Sequence, residues 1–404
     1  MSRLIVRNIG PIKEVDIDLK KINVIIGAQS SGKSTLAKII SFCTWMDKHT
    51  EQTTKKYIKG AIDSLKRYHR LTNEYFSKDS VIFYQGDNIA YAYNWPEGTA
   101  FPFCGDDYGP ELHVVNSEFF FERKSGRSSN PKVLYVPSER NFVSAVPNLR
   151  KYQEDKDNLQ DFVNTWYDVK RRFPRDKALN ILNLGVKYFY QEDSYKDLVV
   201  IGDGQQVPLE SSSSGLQSII PLLVLVNWMS EGIYEEEKPF SPEEDEEVKK
   251  LLDGTVKMDK TLSDKFERFL GFLSGRIYTH TQFIIEEPEQ NLFPETQCDL
   301  MYHILASVNH GKNHRLVMTT HSPYILYALN NCMSGYSVSG KLPDKIKATM
   351  KSAASFINPD DVNTWQIRDG KLEPINKGDR IGEHYFNDIM NSILDDFYKI
   401  QAYK

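Results

Sequence analysis

An α/β fold built on a mixed sheet is predicted by three features of the sequence. Residues 22–26 are an apolar run that passes through Gly27-Ala28-Gln29-Ser30-Ser31-Gly32-Lys33-Ser34-Thr35 into a helical pattern at 36–40. Residues 283–285 and 316–318 are two more apolar runs, each ending in polar residues. The stretch 291–309 between them sets Leu300, Ile304 and Leu305 on one helical face, a βαβ crossover. Residues 4–9 and 15–19 alternate apolar and polar before the first of these runs, which adds an antiparallel edge to the parallel strands.

The glycine-flanked loop carries the most specific chemistry. From Gly27 to Ser34 it satisfies G-x-x-x-x-G-K-[ST]. Gly27 and Gly32 let the backbone curl so that its N–H groups, including those of Gln29, Ser30 and Ser31, point at phosphate oxygens. The helix that follows adds its positive end. Lys33 reaches the β- and γ-phosphates, Ser34 places a hydroxyl on Mg²⁺, and Thr35 holds the α-phosphate. ATP and Mg²⁺ are therefore the expected cofactors. In Phe283-Ile284-Ile285-Glu286-Glu287-Pro288-Glu289 an apolar strand ends in adjacent carboxylates. One can serve Mg²⁺ and the other an attacking water. His321, at the end of the next apolar strand, is a candidate γ-phosphate contact. Ser211-Ser212-Ser213-Ser214-Gly215-Leu216-Gln217-Ser218 runs straight into an apolar helix at 219–229, which makes it a second anion site rather than a linker.

Bulk properties narrow the class. The chain has 404 residues, 40% hydrophobic and 26% charged, as in an ordinary globular protein. A net charge of −5 gives no overall basic footprint for nucleic acid. No run of about 18 apolar residues occurs, so no membrane span is expected. The first residues enter a strand without a signal-peptide layout. Cys43, Cys104, Cys298 and Cys332 lie far apart with no zinc or disulfide spacing, so reduced thiols and a cytoplasmic location are expected.

Between the motifs, residues 36–76 read as helical with a break at 47–56. Residues 80–125 read as a small antiparallel sheet whose many aromatic residues pack with one another. Residues 133–137 form a short buried strand, with Ser138-Glu139-Arg140 at its end. Residues 149–190 read as mostly helical, breaking at Pro174, with no sustained heptads. Residues 198–201 and 206–209 form a hairpin. The acidic stretch 235–247 reads as a solvated loop, residues 266–277 as helical, and the tail from Gly382 as an amphipathic helix packed on the body of the protein.

In this order the motifs resemble the ATP-binding-cassette (ABC) type ATPases, and most closely the overcoming-lysogenization-defect (OLD)-like bacterial ATPases. The resemblance covers nearly the whole chain. It implies a P-loop NTPase head of the ABC-ATPase type, with a mixed central sheet, an antiparallel β insert and a helical signature lobe. The divisions expected within a single head 1–404 are 1–46 for the N-terminal strands and P-loop helix and 47–130 for the insert. Residues 131–234 would be the helical lobe with the signature, 235–260 an acidic surface insertion, and 261–404 the Glu-Glu strand, switch histidine and C-terminal helix. The resemblance also implies that two heads sandwich ATP between residues 27–35 of one and Ser213, Ser214 and Gly215 of the other. Glu286 would take the Mg²⁺-side role with Ser34, Glu287 the catalytic base role, and His321 the switch role. Glu139 or Arg140 would stand where such heads carry a glutamine loop. Glu286 stands where most cassette ATPases have aspartate, the signature is serine-rich, and Asn291 and Phe293 replace two histidines. No Asp-x-Asp pair follows His321, although OLD proteins often carry one in a C-terminal nuclease domain.

The leading reading is an ATPase that oligomerises with itself on ATP and controls an effector in trans. By analogy with Septu- and PARIS-type anti-phage systems the effector is a nuclease. A second reading is a DNA-repair or DNA-end-sensing ATPase that uses Lys55-Lys56, Lys66-Arg67 and Lys170-Arg171-Arg172 on duplex DNA. A third is an ATP-binding scaffold that barely hydrolyses.

Overall fold

The structure, a computed structural model, describes residues 2–48, 60–103, 108–115, 117–123, 129–146, 156–235 and 277–403. The chain opens with the antiparallel pair β1 (Ser2–Ile9) and β2 (Ile12–Leu19), then β3 (Ile22–Gly27), which is buried along its whole length. Helix α1 (Lys33–Asp47) follows the glycine loop, and α2 (Ala61–Tyr68) comes next. Strands β4 (Phe76–Gln85), β5 (Ile89–Tyr93), β6 (Tyr108–Val115) and β7 (Glu118–Arg123) form the insert, and β8 (Pro131–Val136) returns to the centre. Helix α3 (Asn158–Lys170) leads into a separate antiparallel sheet. That sheet contains β9 (Leu179–Asn180), β10 (Val186–Gln191), β11 (Lys196–Ile201) and β12 (Gln205–Pro208). Helix α4 (Ser214–Asn227) starts at the serine-rich motif. Strand β13 (His280–Glu286), helix α5 (Pro294–Asn309), strand β14 (Arg315–Thr320) and helix α6 (Pro323–Val338) complete the expected crossover. Strands β15 (Val362–Arg368) and β16 (Lys371–Pro374), the short hairpin β17–β18 (Asn376–Lys377 and Arg380–Ile381) and helix α7 (Tyr385–Gln401) end the chain.

Twelve strands share one sheet in the order β6-β7-β5-β4-β1-β2-β16-β15-β3-β14-β13-β8. The five from β15 to β8 run parallel, and their C-terminal ends gather the glycine loop, Glu286-Glu287 and His321 on one edge. Alternation along the buried strands builds a core on each face. Ile22, Val24, Ile26, Phe283 and Ile285 face α3, α4, α5 and α6, whereas Ile25, Ile284 and Val317 face α1.

Three expectations change. The antiparallel segment 80–125 is not a small separate sheet, because Arg3 pairs with Gln85 and Val6 with Ile82, fusing it to the main one. The end of the stretch 149–190, read as mostly helical, instead holds β9 and β10. The inward row Val186, Tyr188 and Tyr190 follows a two-residue period, and β11 pairs along it. Helix α7 forms as expected but packs on the head only through its first turn, where Phe386 rests against the core; every residue from 388 to 403 is exposed. The break at 47–56, the acidic stretch and the helix expected at 266–277 fall largely or wholly outside the described residues.

One described helical stretch, Ser214–Glu235, is long and apolar enough to cross a membrane by length and composition, but it is mostly buried as the central helix of a core. Cys43, Cys298 and Cys332 are free thiols.

Candidate nucleotide site

The glycine loop closes tightly between β3 and α1. Gly32 adopts φ +105°, and a Cβ there would sit 2.9 Å from the Ile12 side chain, so both the conformation and the space call for glycine. Ser30 also has positive φ, at 60°. Lys33 and Thr35 are buried, and the Lys33 ammonium donates to the carbonyls of Gly27 (3.0 Å) and Ala28 (2.8 Å). Burial lowers the Lys33 pKa to about 8, against the pull of Glu287, Glu289 and Glu286. The Ser31 hydroxyl is buried without a hydrogen-bond partner. A cation folded back on loop carbonyls, an orphan hydroxyl and a helix N-terminus make a donor set that fits a polyphosphate.

The carboxylates lie at the end of β13. Glu286 is buried and accepts hydrogen bonds from the Tyr135 and Ser34 hydroxyls. Burial raises its pKa, and those two donors pull it back. The contact joins the two residues expected at the metal. One hydroxyl and one carboxylate suit Mg²⁺, which takes few protein ligands and completes its shell with water and phosphate.

Glu287 occupies φ +43°, a conformation that costs a non-glycine residue about 1–3 kcal/mol. Its carboxylate accepts from the Gln290 amide at 2.9 Å and lies 3.6 Å from His321 Nε2. The bond to His321 contributes most to lowering its pKa to about 2, so Glu287 is ionised at neutral pH. Glu289 accepts the His321 backbone N–H at 2.5 Å, fixing the end of β14 to the turn after β13.

Arg140, one of the two residues expected at the glutamine-loop position with Glu139, is turned inward. Its side chain is fully buried and donates to the carbonyls of Ser218 (3.1 Å), Glu286 (2.9 Å), Glu287 (2.8 Å) and Pro288 (3.1 Å). It clamps the strained turn to α4 and does not reach toward a ligand. Glu139 is exposed and accepts from the Ser138 hydroxyl at 2.9 Å.

Ser213 caps α4, its hydroxyl accepting from the Leu216 N–H at 3.4 Å, and Ser213 and Ser214 are exposed. Gly215 lies against residue 291, where a Cβ would come within 2.9 Å of the Asn291 carbonyl. Among the described residues no hydrogen bond joins Ser213, Ser214 or Gly215 to the loop 27–35. The structure thus brings Lys33, Ser34, Glu286, Glu287 and His321 together and leaves the signature on a separate exposed surface. Sequence reading missed Tyr135, Gln290 and Glu289. Glu289 stood in plain view within Glu-Glu-Pro-Glu, whereas Tyr135 had no local signal.

The basic segments are dispersed. Lys170 is buried against Asp197 at 2.7 Å, Arg171 lies 3.8 Å from Glu192, and Lys66 sits over the Phe76 ring. Lys55-Lys56 lies outside the described residues.

A family model described as an AAA domain matches residues 3–291. The chain belongs to that AAA-domain family. The match runs from β1 through the loop 27–35, the serine-rich stretch before α4 and the Glu-Glu turn. Among curated proteins none matches this chain. The SMC head domain from Thermotoga maritima is 8% identical, with a TM-score of 0.39, covering 93% of this chain and 98% of that one. The Smc head domain with an extended coiled coil, bound to the C-terminal domain of ScpA and derived from Pyrococcus furiosus, is 13% identical. Its TM-score is 0.35, covering 98% and 100%. The ATP-binding cassette MJ0796 bound to ADP and Pi is 11% identical with a TM-score of 0.28, covering 92% and 97%. Overlaps this weak say nothing of partner or substrate.

Proposed function

We propose that this chain hydrolyses ATP at a site completed by a second copy, and that the ATP-bound assembly controls an effector, a nuclease, in trans in anti-phage defence. The observation that carries the hydrolytic reading is the meeting of Lys33, Ser34, Glu286, Glu287 and His321 at the C-terminal edge of β3, β13 and β14.

Each of these residues has a task its surroundings suit. Lys33 turns from the loop carbonyls to the phosphates. Ser34 and Glu286 would hold Mg²⁺, which would supply positive charge beside the phosphates. Glu287, ionised and weakly basic, orients the attacking water and accepts its hydrogen bond rather than removing a proton beforehand. His321 fixes the Glu287 carboxylate and stands beside the γ-phosphate position. The exposed Ser213, Ser214 and Gly215 serve the site of the second copy.

The effector role rests on the resemblance of the motif order to compact OLD-like ATPases. It is tested by recovering Glu287→Gln from its native host with Mg-ATP and identifying what accompanies it by mass spectrometry. Recovery of a nuclease is expected. Recovery of nucleic acid, with only this chain among the proteins, would contradict the effector role.

A further inference from the structure

Helix α7 is the most exposed long element among the described residues. Every residue from 388 to 403 is exposed, on all faces of the helix. Only its start is tied down. The Tyr385 N–H donates to the Gln366 side chain at 3.2 Å, Arg368 pairs with Asp388 at 2.8 Å, and the His384 ring rests near Tyr327 of α6. A helix of 17 residues is marginal in water unless its apolar face is covered.

That face is regular. Phe386, Met390, Ile393, Phe397 and Ile400 are spaced four, three, four and three residues apart, the heptad seam of a helix that packs on another helix. Met390 is 57% exposed, Ile393 59%, Phe397 49% and Ile400 61%. Ile389 and Leu394 widen the stripe on either side. Asp388, Asp395 and Lys399 lie on the opposite side. Together Met390, Ile393, Phe397, Ile400, Ile389 and Leu394 leave on the order of 600 Å² to cover, about what one partner contributes at the lower end of the range for a stable interface.

We propose that α7 is a self-association helix through which two copies of this chain pair antiparallel, independently of nucleotide. The seam is self-complementary as a two-fold interface requires. Phe386 is already held against the core of its own head, so the free seam runs from Met390 to Ile400; centred on Ile393, an antiparallel pair sets Met390 against Phe397, a thioether against an aromatic ring. The helix begins beside Arg368, which follows Ile367, the β15 residue paired with Gly27. Two copies joined through α7 would therefore be tethered close to their nucleotide edges, which raises the effective concentration for closing an ATP sandwich.

The test measures the mass of the full-length chain by light scattering at micromolar concentration without nucleotide. Wild type is expected to be a dimer or a multiple of one, and Met390→Asp/Phe397→Asp a monomer with an unchanged head melting temperature and unchanged ATP binding. Lys33→Ala, which disables the nucleotide site, is expected to remain associated, as is Asp395→Asn on the polar side. A monomeric wild type, an associated double variant or a monomeric Lys33→Ala would each overturn the proposal. Failure of the ATP sandwich would appear separately, as absence of any further mass change on adding ATP to Glu287→Gln. In the antiparallel register Met390→Cys/Phe397→Cys cross-links between chains and neither single variant does. Cross-linking of the single variants instead would overturn the antiparallel arrangement.

Discussion

At the scale of single residues the account rests on Glu287 and Lys33. Glu287 is held ionised in a strained turn, close to His321 and bonded to Gln290. Glu287→Gln keeps the size and most hydrogen bonds but removes the charge proposed to orient water. ATP turnover is expected to fall by about 10²–10⁴-fold while ATP binding persists. Unchanged turnover would remove Glu287 from the catalytic role. Lys33 is the buried cation of the loop, so Lys33→Ala is expected to lose nucleotide binding, measured by fluorescence of a labelled ATP analogue. These residues were legible in the sequence because the chemistry of phosphate binding is written in consecutive positions. Arg140 was not, because its role depends on carbonyls from residues 218 and 286–288, which only the fold brings to it.

At the scale of elements the turn after β13 and the start of α4 behave as one piece. Arg140 donates to both, Asn291 donates to the Ser218 hydroxyl at 3.0 Å, and Gly215 touches the Asn291 backbone. Lysine at position 140 cannot reproduce a planar fork that reaches four carbonyls. Arg140→Lys is therefore expected to destabilise the protein by about 3 kcal/mol, through buried carbonyls left without donors. It should also slow turnover more than it weakens ATP binding. Denaturant unfolding together with steady-state kinetics checks both, and equal stability to wild type would contradict the clamp. Element order and the βαβ crossover could be read from periodicity. The fusion of β4 to β1 could not, because pairing between residues about 80 positions apart leaves no local mark, and short strands such as β9 give too few residues to show a period.

At the scale of the whole molecule, His314 joins the sheet to the far end of the signature helix. Its Nδ1 accepts the Thr281 N–H at 3.0 Å, and Nε2 lies 3.0 Å from the Ser230 carbonyl, an arrangement that suits the neutral ring. Burial lowers its pKa to about 4; the Ser230 bond opposes this, and Lys21, His310 and Lys312 add to it. The unfolded chain therefore binds more protons at this position than the native one. Its contribution is full above about pH 6.5 and is lost as pH falls toward about 4. His314→Asn keeps an acceptor for Thr281 without a titrating ring. The stability advantage of wild type over this variant is expected to shrink between pH 7.5 and pH 5 in urea unfolding, and a constant or widening gap would contradict the assignment.

The central claim, an ATP site completed by a second copy, is tested most directly by co-expressing two differently tagged variants. Lys33→Ala has no working loop, and Ser214→Asp places a negative charge at the exposed signature without crowding the turn after β13. Each alone is expected to be inactive. A purified mixed assembly would regain one intact site, formed by Lys33 of one chain and Ser214 of the other, with turnover restored toward about half of the wild-type rate per dimer on simple site counting. A mixed assembly as inactive as its parents, or a Ser214→Asp protein that turns over ATP normally by itself, would contradict the composite site.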